Sequence, residues 1–286
     1  MKKVAIQGVS GCYHEAAARN FFKDEEIEIE PCLTFPDLIK KMNKDDSLLG
    51  IMAIENTIAG SLLQNHELIR KSSLAIIGEY KLRITHSIAV LPDEELDDIV
   101  EVNSHPIALM QCEEYLQGHP SIKVVEQGDT ASSAMNIAKY HLKGHAAICS
   151  ELAAQKYGLK VLETGIETNN RNFTRFLVLA DNWQRDELVK GKRINKSSVV
   201  FSLPHSTGSL SKVLTILSFY NINLTKIQSL PIIGREWEYR FYASLTFDDL
   251  TRYRQSIEAI RPLTKDLRIL GEYEEAVQDL SNRPVY

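Results

Sequence analysis

The sequence predicts an α/β protein in two parts: a two-lobed α/β domain, then a smaller ferredoxin-like βαββαβ unit. Two observations carry this. From residue 1 to about 180, short apolar runs alternate with amphipathic or alanine-rich segments, as strands alternate with helices around a largely parallel sheet. Between residues 197 and 274 the order becomes strand, helix, strand, strand, helix, strand, which is a two-helix, four-strand sandwich. The length of 286 residues, more than one ordinary core organises, agrees with both.

Composition bounds the class. A hydrophobic fraction of 44% and a charged fraction of 25% are those of a soluble globular protein. A net charge of −5 gives no footprint for nucleic acid or an acidic membrane surface. No stretch approaches the ~20 apolar residues of a membrane span. The opening MKKVAIQG has too short an apolar run for a signal peptide. Four scattered cysteines (Cys12, Cys32, Cys112, Cys149) form no CxxC pair, so a reduced cytoplasmic protein without a zinc site is expected.

The first strand, over 3–6, ends in the turn Gly8-Val9-Ser10-Gly11-Cys12-Tyr13 and leads into an alanine-rich helix over 15–22. Strand, glycine turn, helix is a layout that cradles anions, because a helix N-terminus presents free amides. The spacing is neither GxGxxG nor a P-loop, and a tight turn that only delivers the chain into the helix fits equally well. Residues 27–33 alternate glutamate with apolar side chains and read as a half-buried strand; Pro36 opens a helix to Met42. The apolar run 48–54 reads as a central buried strand that delivers Glu55-Asn56-Thr57 at its carboxyl end. Gly60-Ser61 is expected to start the next helix, Ser61-Leu62-Leu63-Gln64 matching a capping box. Polar residues there sit where open α/β sheets bind ligands.

Strands are predicted over 74–79, 84–91 and 99–102, and a helix from Pro106 through Leu116, with His105 as its cap. Ser104 and Gln111, seven apart, are expected to share one helix face. A strand over 122–126 precedes a helix capped by Asp129-Thr130 and running to about 142. Strand 146–149, helix 150–157 and strand 160–163 lead to the loop Asn169 to Phe176, NNRNFTRF. Its amides, hydroxyl and guanidinium groups (Arg171, Arg175) suit an anion, and the run 177–180 continues as a strand. Residues 182–196 are charged and read as a linker; beyond 274 a tail, 275–286, is expected.

Five segments, in this order and spacing, resemble the prephenate dehydratase family across nearly the whole chain: GVSGCYHEAA, IENTIAGS, SHPIALMQC, GDTASSAM and NNRNFTRF. The βαββαβ unit is similar to an ACT domain, which in this family binds phenylalanine. The two-lobed domain is also similar to periplasmic-binding-protein modules. The resemblance implies conversion of prephenate to phenylpyruvate, water and carbon dioxide in phenylalanine synthesis, with no metal or organic cofactor. It implies that Thr174 donates a hydrogen bond to the departing hydroxyl and that Arg175 partners a substrate carboxylate; the competing reading of Arg175 is a buried ion pair that fastens the loop to a second lobe. Asn56, Thr57 and Ser61 would orient the substrate, with Glu55, Ser104, Gln111, Asp129, Asn172 and Phe176 completing the cleft and Glu55 read as structural. In the ACT unit it implies a phenylalanine site at His205, Gly208, Ser209, Leu210, Asn223 and Leu224, shared across a homodimer or tetramer.

This chain departs from the family pattern in two places. Cys12 and His14 stand where hydroxyl residues are usual, His14 being open to a substrate contact or a helix cap, with the cap favoured; Gln228-Ser229-Leu230-Pro231 replaces the usual E-S-R-P. Arogenate dehydratase is the alternative activity. A non-catalytic amino-acid or aromatic-acid sensor is the competing class, against which the intact Asn172-Phe173-Thr174-Arg175 loop argues. No fused mutase domain is expected.

Overall fold

The computed structural model describes residues 1–277; the expected tail lies outside the described residues from 278 onward. Two lobes face each other across a cleft. The first is built on Ile27–Cys32, Lys2–Gln7, Leu49–Asn56, Phe173–Asp181 and Leu74–Arg83, side by side in that order. The second holds a five-stranded sheet ordered Lys160–Thr164, Ser87–Val90, His145–Cys149, Glu101–Ser104, Lys123–Glu126.

The sheets are mixed, not largely parallel as expected. Lys2–Gln7 runs parallel to both neighbours, but Phe173–Asp181 is antiparallel to both of its own. The reason is the path of the chain. Leu74–Arg83 carries it out to the second lobe and Phe173–Asp181 carries it back, so the outgoing and returning strands pair head to tail. Leu49–Asn56 is buried over its first six residues and becomes half-buried only at Glu55 and Asn56, where it reaches the cleft. Phe35–Met42 starts where Thr34 accepts a hydrogen bond from the Asp37 N–H, a cap that contributes about 1 kcal/mol.

The lobes share one apolar cluster, in which Ala16, Ala17, Ala131, Ala134 and Ala153 let helices approach closely. Gly11, at φ +89°, touches this seam: a Cβ there would lie 2.8 Å from the Ala153 Cα. Around it Ser150 donates to the Gly11 carbonyl at 2.8 Å and Tyr157 to the Ser10 carbonyl at 2.7 Å. Buried Glu15 accepts from Lys156 at 2.6 Å.

The remaining strands form the βαββαβ unit, ordered Asn223–Pro231, Tyr239–Thr246, Lys196–Ser202, Lys265–Tyr273, with helices Ser209–Phe219 and Leu250–Ile260. It continues the first lobe's sheet: Gly271 pairs in parallel with Ile76, and a Cβ on Gly271 would fall 2.2 Å from the Ile76 carbonyl oxygen.

Three local expectations are corrected. Gly60–Ser61 is a two-residue strand against Asn56 and Glu55, and the helix Leu63–Lys71 begins after it without a side-chain cap. Asn56 explains this: its Oδ1 accepts from the N–H groups of Ile58 and Ala59, folding the chain back as a hairpin. Ser104 ends a strand instead of opening a helix, so it shares no helix face with Gln111; the predicted helix is broken at Cys112 into Pro106–Gln111 and Glu113–Gln117. Lys196 is no linker residue. It is buried in Lys196–Ser202, where its ammonium meets Glu79 at 2.8 Å, and the short helix Arg185–Leu188 interrupts the rest of that span.

Candidate active site

The interlobe cleft encloses about 380 Å³ and is lined by side chains from both lobes. Asn56 and Thr174 are cross-strand neighbours on its floor. Asn56 Nδ2 donates to Thr174 Oγ1 at 3.0 Å and to Asn172 Oδ1 at 2.7 Å. Asn172 Nδ2 donates to Gln111 Oε1 at 2.8 Å, and His86 Nε2 lies 2.9 Å from that same oxygen.

The direction of every bond in this chain follows from one end of it. The Ile58 and Ala59 N–H groups hold the Asn56 oxygen, so the Asn56 nitrogen must face Asn172 and Thr174. Asn172 then presents its oxygen to Asn56 and its nitrogen to Gln111. Gln111 presents its oxygen, and His86 Nε2 carries a proton to donate to it. His86 Nδ1 faces the Tyr13 hydroxyl at 2.8 Å. Burial lowers the His86 pKa, offset in part by the Gln111 bond and the Glu167 charge. At the other end Thr174 Oγ1 is an acceptor towards Asn56, which leaves its own proton for the cleft.

Electrostatically the cleft is unusual for one expected to hold a dianion: none of its lining residues is lysine or arginine. Helices Tyr13–Phe21 and Thr130–Tyr140 instead begin at its wall, directing the positive ends of their dipoles towards it. Asp129 caps the second of these by accepting from the Ala131 N–H at 3.1 Å. Its Oδ2 is buried against Gly8 without a hydrogen bond, and burial raises its pKa.

Of the residues expected at the site, Asn56, Gln111, Asp129, Thr174 and Phe176 line the cleft, and Asn172 lies directly behind it. Thr57 is used in the turn, its hydroxyl donating to the Arg171 carbonyl and accepting from the Phe173 N–H. Ser61 pairs through its backbone, and Ser104 is sealed in, donating to the Ile148 carbonyl at 2.6 Å. Arg175 and Glu55 are turned to the opposite face. Arg175 meets Glu79 at 3.1 Å, Glu55 at 3.4 Å and the Ser244 hydroxyl at 3.4 Å, and Lys226 also pairs with Glu55. Arg175 is therefore in a buried ion pair, but one made within its own lobe and towards the βαββαβ unit, not with the second lobe. Burial acts to raise the Glu55 pKa, but the Arg175 and Lys226 charges outweigh it and hold it low.

The βαββαβ unit has a hollow of its own, about 160 Å³, lined by His205, Ser209 and Leu210 with Trp237, Tyr239 and Phe241. Gly208, at φ +77°, sits just before the helix there. Asn223 and Leu224 are not brought to it: Asn223 bonds Thr246, and Leu224 packs on the unit's core.

The family model for prephenate dehydratase matches residues 4–184. The chain belongs to the prephenate dehydratase family. It is 31% identical over 275 residues to a bifunctional chorismate mutase/prephenate dehydratase of Enterobacter agglomerans, covering 95% of this chain and 70% of that one. It is 34% identical over 301 residues to the chloroplastic arogenate dehydratase 5 of Arabidopsis thaliana, covering 99% and 69%. The prephenate dehydratase of Arthrobacter aurescens, solved in complex with L-Phe, superposes with a TM-score of 0.83 at 25% identity, covering 96% of this chain and 92% of that one. The match to the prephenate dehydratase family model stops short of the βαββαβ unit, whose description rests on its own topology.

Sequence reading missed Gln7, Tyr13 and His86 in the cleft of this prephenate dehydratase family protein and set His14 aside as a helix cap. His14 in particular does not cap its helix: it is the second helical residue, and its Nε2 accepts from the Ala53 N–H at 3.3 Å. A signal existed for His86. Thr85-His86-Ser87 is a polar interruption in the apolar run 84–91, and it marks the crossing between lobes.

Proposed function

We propose that this protein catalyses the decarboxylative dehydration of prephenate to phenylpyruvate. The carbon–carbon bond to the ring carboxylate breaks and carbon dioxide leaves. Its electrons pass through the ring, the carbon–oxygen bond to the ring hydroxyl breaks, and the departing hydroxide takes up one proton to become water. Aromatisation drives the reaction, so the protein has to orient a dianion and favour charge at the leaving oxygen.

One observation carries the reading: Asn56, its own oxygen held by two backbone N–H groups, occupies the acceptor side of Thr174 Oγ1 and frees the hydroxyl proton for the cleft. A threonine hydroxyl is far too weak an acid to transfer a proton outright near neutral pH. Thr174 therefore acts as a hydrogen-bond donor that stabilises the leaving hydroxide. Gln111 and Phe176 complete the substrate-binding wall, and Asn172 holds Gln111 from behind. The two helix N-termini, in a cleft without lysine or arginine, hold the carboxylates. Glu55 and Arg175 act from behind, fixing the strand ends that carry Asn56 and Thr174.

Arogenate is the second reading, favoured by Asp129. Asp129 lines a cleft without lysine or arginine, and a carboxyl group there suits the ammonium group that distinguishes arogenate from prephenate.

In this reading residues 1–181 are the catalytic domain and 197–274 an ACT domain. L-phenylalanine binds at His205, Gly208, Ser209 and Leu210 of one copy with Asn223 and Leu224 of a second, which calls for a homodimer or larger. It inhibits by favouring a distorted cleft. The test is product formation from prephenate and from arogenate by purified protein, with and without L-phenylalanine. Absence of turnover on both would overturn the enzyme reading; turnover indifferent to L-phenylalanine would overturn the regulatory one.

A further inference from the structure

His14 forms part of the cleft wall, and its ring is held from several sides. One edge accepts from the Ala53 N–H at 3.3 Å. That N–H faces a gap in the sheet, because the pairing of Lys2–Gln7 with Leu49–Asn56 ends at Ile6 and Ile51. Phe176 meets the ring at a centroid distance of 5.0 Å and 84°, and Phe35 at 5.5 Å and 59°. The imidazole is thus fixed in position and in tilt.

Its protonation follows from the same contacts. A nitrogen that accepts from a backbone N–H carries no proton, so in the neutral ring the proton lies on Nδ1. Burial pushes the pKa down to about 3, so the ring is neutral through the physiological range. Nδ1–H has no protein partner among the described residues, and it is not sealed in: His14 is half-buried, lines the cleft, and is not among the residues with a buried polar atom lacking a partner. Thr174 and Phe176 both line the cleft, so this donor opens into the same cavity as the proposed leaving-group donor.

We propose that His14 is a substrate-binding residue, its Nδ1–H donating a hydrogen bond to a carboxylate oxygen of the substrate bound against Phe176. The inference rests on the dehydratase reading above. A rigid neutral N–H suits this cleft, where a dianion has to be held without lysine or arginine. Together with the helix N-termini it does part of what a guanidinium would otherwise do.

The test is a pair of variants with a direct readout. His14→Phe keeps a ring between Phe35 and Phe176 but has no N–H. His14→Gln keeps an acceptor for Ala53 and an amide donor. His14→Phe is expected to raise KM by about ten- to hundredfold with a much smaller change in kcat, and His14→Gln to recover most of the loss. Thermal unfolding of both checks the fold. Nitrogen-15 NMR of the wild-type histidines reads the contact without any substitution: the His14 Nδ1 signal is expected to move on saturation with prephenate. Wild-type turnover with an unmoved Nδ1 signal, or an unchanged KM in a folded His14→Phe, would overturn the His14 assignment alone. No wild-type turnover of prephenate or arogenate would overturn it together with the dehydratase reading.

Discussion

Thr174 and Arg175 are consecutive in the chain and serve opposite faces of one strand. Thr174 Oγ1 meets Asn56 Nδ2 at 3.0 Å on the cleft side, while the Arg175 guanidinium meets Glu79 at 3.1 Å on the side packed against the βαββαβ unit. The partner strand repeats the arrangement, with Asn56 opposite Thr174 and Glu55 opposite Arg175. Strand alternation thus places a polar pair in the cleft directly in front of an ionic pair, and Lys226 and Ser244 of the βαββαβ unit reach that ionic pair.

The cleft pair can be tested without disturbing packing. Thr174→Val keeps the side chain's shape and removes the hydroxyl; kcat is expected to fall by about 10²–10³. Thr174→Ser is expected to retain most activity. Asn56→Asp should be nearly as damaging as the valine: its carboxylate would take the Thr174 proton and turn that donor away from the cleft. Near-normal turnover in Thr174→Val would remove the leaving-group role.

The ionic pair should report on stability first. Arg175→Met leaves buried Glu79 with Lys196 as its one cationic partner among the described residues and strips Glu55 of one partner. Breaking a buried pair on one side costs about 3–5 kcal/mol, readable as a lower urea midpoint, with KM little changed in the protein that stays folded. A large KM rise at unchanged stability would instead put Arg175 in contact with substrate.

Asp129 separates the two candidate substrates. Asp129→Asn keeps an acceptor for the Ala131 N–H and removes the charge. The ratio of kcat/KM for arogenate to that for prephenate is expected to fall, and an unchanged ratio would show that the carboxylate does not read the amino group.

Acid sensitivity should appear where the βαββαβ unit meets the first lobe. Burial opposes ionisation of Glu67, but Arg70, the Tyr242 hydroxyl and Arg240 outweigh it and hold the carboxyl at about 2 against an ordinary 4.5. A depressed carboxyl stabilises the fold above 4.5, and that contribution is lost as pH falls towards about 2. Thermal unfolding on both sides of this window is expected to show the wild type losing more than Glu67→Gln. Equal losses would place the acid-labile group elsewhere.

The seam between the lobes offers a steric test. Gly11→Ala would set a methyl 2.8 Å from the Ala153 Cα at φ +89°, where both position and backbone oppose it. A clear fall in unfolding temperature is expected, whereas Gly165→Ala, also at positive φ (+79°) but with open space around it, should lose less.

Much of this was legible in the chain itself. The apolar runs, the Asp129 cap, the six elements of the βαββαβ unit and the family motifs are local patterns, set by residues within a few positions of each other. Even the two readings of Arg175 could be written down, because an arginine beside a glutamate-bearing strand either binds an anion or pairs internally.

Choosing between such readings required the tertiary structure. Which face of Phe173–Asp181 looks into the cleft depends on its register with Leu49–Asn56 and on a bulge between Arg175 and Phe176. That His14, His86, Gln111 and Asn172 meet around one cavity depends on two crossings of the chain between the lobes. The sequence alone determined the elements, the family and the polar loop, because periodicity, capping and motif spacing act over short distances. Only the folded chain decided which side chains line the cleft and which brace it from behind, because side-chain direction in a sheet reverses at every residue and is set by partners far away in sequence.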